Sequence, residues 1–115
     1  MQPKHGDIVL IPIPFTDLSS QKQRPVIVIS NDDYNHTTPD FVVVAMTSNP
    51  TLGHYSLPIT SADLAQGKLN RPGIVRVDKI YTLDQQLTRR IFGRVNQTTL
   101  ERITALIQTL TTRTM

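Results

Sequence analysis

Apolar residues in this chain gather in short runs rich in β-branched side chains, separated by polar turns; only near the C-terminus does the spacing become helical. Residues 8–13 (IVLIPI) form a continuous apolar run in which Pro12 and Pro14 mark an edge or an exit. Residues 26–29 (VIVI) and 41–46 (FVVVAM) are runs of the kind buried on both faces of a sheet. Residues 55–59 contain Pro58 and read as an edge strand. Residues 74–81 (IVRVDKIY) partly alternate, with Arg76, Asp78 and Tyr81 turned away from Val75 and Val77, and 90–95 are a weaker strand. The connections FTDLSSQKQ, NDDYNHTTPD, SNPTLGH and SADLAQGKLNRPG are turn-rich, and several exceed what a tight hairpin needs. In the last, residues 61–66 suit one helical turn closed by Gly67. Thr98 and Glu101 have capping-box spacing, after which Leu100, Ile103, Ile107 and Leu110 share one helical face, flanked by Leu106. Five to seven short strands followed by one helix predict a mainly β fold, a small twisted barrel with the helix packed across it, as a single domain over residues 1–115. The narrow helical stripe and the 5% aromatic content make dimerisation a reasonable way to bury more apolar area.

Composition narrows the chemistry. There is no cysteine, which removes disulfides and thiolate metal sites and suits a reducing cytoplasm. The N-terminal apolar run is too short to span a bilayer, so no membrane association is expected. The net charge of +3 is unevenly placed: residues 1–63 carry three cations against six carboxylates, and residues 64–115 carry nine against three. That asymmetry points to an anionic partner, nucleic acid or an acidic protein segment, although a basic surface that merely keeps the chain soluble fits equally well.

His5, His36 and His54 are scattered, so no metal site or metal cofactor is expected, and phosphate-binding or dinucleotide glycine motifs are absent. The two central apolar runs are more informative. Pairing them antiparallel with Ser30 opposite Phe41 places Arg24 opposite Thr47, beside Ser48. A permanently charged planar fork next to two hydroxyls suits a phosphate. Arg24 can equally pair with Asp17 or Asp33, with Thr47 and Ser48 simply opening a turn before Asn49-Pro50. Phe15 and Tyr34, both assigned to loops, can stack on bases or pack. Asp78 and Lys79 read as a cross-strand ion pair.

Three blocks in order, GDIVLIPIPFTDLSSQKQRPVIVIS, FVVVAMTS and GIVRVDKIYTLDQQLTRRIFGRV, resemble the MazF/PemK toxin family over residues 6–110. The resemblance implies an SH3-like barrel of the MazF/PemK/CcdB type, a homodimer, and a cytoplasmic, metal-independent endoribonuclease that cuts single-stranded RNA at a short sequence. It also implies an antitoxin whose acidic tail occupies the RNA groove. The family's catalytic arginine maps to Arg24 and its threonine to Thr47, with Ser48 assisting. The lid maps to residues 15–23, giving Phe15, Thr16, Asp17, Ser19 and Lys22 as RNA-binding candidates together with Arg76 on the third block. Where some members carry a lid glutamate, this chain has Ser19. Two rivals belong to other classes: a non-enzymatic toxin of the same barrel that binds DNA gyrase, and an inactive member that binds only antitoxin.

Overall fold

Seven strands among the described residues form one sheet, in the order β4-β6-β3-β2-β1-β7-β5. The computed structural model describes residues 2–12, 23–49 and 51–114. The strands are β1 (Asp7–Pro12), β2 (Gln23–Val28), β3 (Asp40–Thr47), β4 (Ser56–Ile59), β5 (Leu64–Gly67), β6 (Gly73–Asp84) and β7 (Arg90–Val95). All pair antiparallel. A short helix α1 (Asp32–Thr37) bridges β2 and β3, and α2 (Gln97–Thr111) follows β7. The result is a mainly β half-barrel with a C-terminal helix, as the pattern of apolar runs predicts.

Central strands bury both faces, and so carry apolar residues without a break. Ile8, Ile27, Val44, Met46, Val75 and Val77 pack on one side with Leu100 and Ile103 of α2. Val9, Ile11, Val26, Val28, Phe41 and Val43 form a second cluster on the other. The helix adds Leu106 and Ile107 to the first cluster, so Leu100, Ile103 and Ile107 of the stripe read from the sequence pack there with the flanking Leu106, while its last member, Leu110, is not part of that cluster. Removing a fully buried side chain such as Ile103 would cost about 2–5 kcal/mol.

Three local expectations need correction. NDDYNHTTPD is not all loop: Asn31 caps α1 by accepting the Tyr34 N–H at 2.8 Å, which starts a helix across Asp32–Thr37. Residues 61–66 are helical only over Ser61–Asp63. Leu64 then pairs with Val95, so the sheet claims the remainder as β5. Finally, α2 is capped by Asn96, which accepts the Thr99 N–H at 2.9 Å; the Thr98–Glu101 capping box is not formed.

β6 is long because it bends. Val44 faces Ile80 while Ala45 faces Arg76, leaving Val77, Asp78 and Lys79 to bulge from the ladder. The first half of β6 thereby also pairs with β4, and the second half continues along β3.

Candidate active site

The β2–β3 ladder has the expected register: Val26 faces Ala45, Ile27 faces Val44 and Val28 faces Val43. The same register carried two residues further sets Arg24 across from Thr47. On its other side Arg24 faces Ile11 of β1. Pro25 sits just where the β2–β3 pairing ends, so its missing N–H costs that ladder nothing.

Thr47 is the last residue of β3, half-buried, and Ser48 follows it exposed. The Thr47 hydroxyl oxygen accepts the Asn49 N–H at 3.1 Å. That bond occupies a lone pair and leaves the hydroxyl proton to be donated elsewhere. The structure thus makes Thr47 a pre-set donor at the strand end.

Arg24, Thr47 and Ser48 line one cleft of about 670 Å³, with Lys68, Arg71 and Arg90 on its other walls. Leu10, Met46, Leu69 and Phe92 supply apolar surface. Among the described lining residues there are four cations and no carboxylate. Such a surface concentrates positive potential in a concave, partly apolar site, where its attraction for an anion exceeds that of the same charges in open water.

Lys68, Arg71 and Arg90 were visible in the sequence only as part of the C-terminal charge excess. They come from two separate segments, residues 68–73 and β7, which meet the end of β3 only once the sheet has curled. Gly67 permits that approach. Its φ is +80°, and a Cβ there would lie 2.4 Å from the Phe92 carbonyl oxygen.

Arg76 is placed differently. It faces Ala45 across the β3–β6 ladder and does not line the cleft. Its Nε and Nη2 donate to the two Asp78 carboxylate oxygens, each at 3.0 Å. The pair has the i, i+2 spacing that puts two side chains on one face of a strand. It corrects the expected Asp78–Lys79 pair. The Arg76 hydrogen bonds hold the Asp78 carboxyl below the ordinary aspartate range and raise the Arg76 guanidinium.

Tyr34 lies in α1 instead of a loop. Phe15, Thr16, Asp17, Ser19 and Lys22 lie outside the described residues. Among the described residues no group of three or more His, Asp or Glu side chains is disposed to hold a metal ion, and no helix is long and apolar enough to cross a membrane.

A small antiparallel half-barrel closed by a C-terminal helix, with an arginine and two hydroxyls at the mouth of a cationic cleft, is the class of protein these features define. Residues 4–111 match the profile of the PemK-like, MazF-like toxins of type II toxin–antitoxin systems, and the chain belongs to that family. No curated protein sequence matches it. Among solved structures, the MazE–MazF complex of Deinococcus radiodurans superposes with a TM-score of 0.78 at 21% identity, covering 96% of each chain. An endoribonuclease from a mycobacterial species gives 0.74 at 23%, over 95% of this chain and 90% of its own. A mycobacterial endoribonuclease in complex with its cognate antitoxin gives 0.70 at 22%, over 93% and 92%.

Proposed function

We propose that this chain is an endoribonuclease toxin that cuts single-stranded RNA with its own side chains as the charge-stabilising groups. The observation that carries the reading is the meeting of Arg24, Thr47 and Ser48 in a cleft whose described lining has four cations and no carboxylate. The named activity of structural neighbours agrees with it.

In this mechanism the substrate's 2′-oxygen attacks the adjacent phosphorus as its proton leaves. The P–O5′ bond then breaks, giving a 2′,3′-cyclic phosphate and a 5′-hydroxyl. Arg24 stabilises charge on the phosphorane oxygens and is the donor toward the departing 5′-oxygen. Thr47, its oxygen already engaged by Asn49, donates to a non-bridging oxygen, and Ser48 assists. Aligned donors of this kind supply rate through positioning and electrostatic stabilisation. The described lining residues include neither carboxylate nor imidazole, so the 2′ proton passes to water or to a group beyond them. Lys68, Arg71 and Arg90 hold flanking phosphates. An acidic antitoxin segment is the natural competitor for the same surface, and the functional unit is a homodimer.

The test is to incubate wild type and Arg24→Ala with mixed-sequence RNA in EDTA and identify the product ends. Cyclic phosphate and 5′-hydroxyl ends from wild type alone are expected. Absent cleavage by wild type, or undiminished cleavage by the variant, would overturn the assignment.

A further inference from the structure

A second cleft, of about 490 Å³, runs on from the first: Gly67, Arg90 and Phe92 line both. Its own cations are Lys4 and Arg94, and its one carboxylate is Asp7. That carboxylate is already committed. The Asp7 side chain is 4% exposed, its Oδ1 accepts from Arg94 Nε at 2.9 Å, and its Oδ2 accepts the Lys4 backbone N–H at 2.8 Å. Arg94 itself stays 34% exposed. Asp7 restrains the guanidinium through Nε alone, and with the side chain a third exposed the two terminal nitrogens stay available to a ligand. A phosphate therefore meets a donor pair already oriented, with less side-chain entropy to lose. Once Arg94 has neutralised Asp7, Lys4 and Arg90 remain as net positive charge.

We propose that this second cleft is a phosphate subsite for RNA flanking the scissile bond, so that the strand leaves the Arg24–Thr47 cleft past Arg90 and runs along β7 to Arg94 and Lys4. Arg90 and Arg94 stand four residues apart, about 13 Å on a regular strand and somewhat less across the irregularity opposite Ile8 and Val9. That separation suits phosphates about two nucleotides apart on one strand better than a single anion. Continuity with the first cleft favours RNA over a separate acidic peptide. The inference rests on the nuclease reading only for the identity of the scissile phosphate.

The experiment measures binding of 2′-O-methyl RNA, which lacks the attacking hydroxyl, using mixed-sequence pools of about four and about twelve nucleotides. Anisotropy titrations across a salt series compare wild type, Lys4→Gln and Arg94→Gln, with a polyglutamate peptide titrated in parallel. Each substitution should flatten the log–log salt slope for the long RNA by about 0.7. Each should also lower the ratio of long-RNA to short-RNA affinity up to about fivefold. Lys4 meets Asp7 through backbone groups alone, its N–H donating to Oδ2 and its carbonyl accepting the Asp7 N–H, so Lys4→Gln decides the matter if Arg94→Gln loses thermal stability. An unchanged slope and ratio in Lys4→Gln would overturn the subsite. So would a loss of polyglutamate binding with RNA binding intact, because the cleft would then serve an acidic peptide. If the variants change the salt slope as expected but wild type releases no cyclic-phosphate ends from unmodified RNA, the nuclease reading fails while the subsite stands.

Discussion

The two ends of β3 are built from the same ladder and do opposite things. At Asp40 the end is closed by neutral hydrogen bonds. Gln85 Nε2 lies 2.8 Å from the Asn35 carbonyl, 3.2 Å from Thr38 and 2.7 Å from Asp40. Asn35 is fully buried, accepting from Ser30 Oγ at 2.6 Å and donating to the Ser30 carbonyl at 3.1 Å. At Thr47 the end is open, and the described residues gathered there are cations without carboxylates. One end satisfies its polar groups internally, which stabilises the fold. The other gathers cations and hydroxyls around a cleft with no carboxylate among its described lining residues, an arrangement suited to an anionic ligand.

Substitutions at the two ends should therefore separate rate from stability. The largest effect is expected for Arg24→Ala, a fall of about 10²–10³ in cleavage rate, or about 3–4 kcal/mol on the barrier. Product-release kinetics on mixed RNA would measure it, and a rate within threefold of wild type would break the comparison. Gln85→Ala should do the converse. It strips three carbonyls of one shared donor and should cost about 2–3 kcal/mol in chemical denaturation, with cleavage per folded molecule unchanged. Thr47→Val should slow cleavage about 10–100-fold with little change in melting, whereas Thr47→Ser keeps the donor and most of the rate.

The smallest effect concerns the Arg76–Asp78 pair, with both side chains more than a third exposed. Because the Asp78 carboxyl titrates lower when folded, its contribution is present above the unfolded value near 3.9 and is lost as pH falls through the folded one. Solvent screening limits it to at most about 1 kcal/mol. The melting difference between wild type and Asp78→Asn should hold at pH 6 and shrink below about pH 4. A gap that widens in acid would contradict the pairing.

How much of this was legible in the chain follows from where the information sits. The central strands were, because Val26–Val28 and Phe41–Met46 must be apolar on both faces, and two such runs in succession also set the register observed from Val26–Ala45 to Val28–Val43, past whose end Arg24 and Thr47 line one cleft. The short helix α1 was not, because its six residues bury only Asn35 and so leave no apolar stripe; the one local cue was Asn31 three residues before Tyr34. The α2 start was misplaced because Thr98 and Glu101 have the right spacing, yet Asn96 lies nearer the strand it must leave. Lys68, Arg71 and Arg90 were hidden for a different reason. Their convergence depends on sheet curvature and on the Gly67 backbone, neither of which has a local pattern.

The Asp7–Arg94 ion pair has a consequence in time. It joins the first strand to the last, 87 residues apart, and β1 has β7 as its second ladder partner. On the ribosome, Arg24 and Thr47 therefore emerge long before the wall formed by Arg90 and Phe92 exists. A chain halted ahead of Arg90 should retain no RNA, as filter binding on stalled complexes would show. On the proposed nuclease reading, a cleft that closes with the final strand would spare the messenger still being translated.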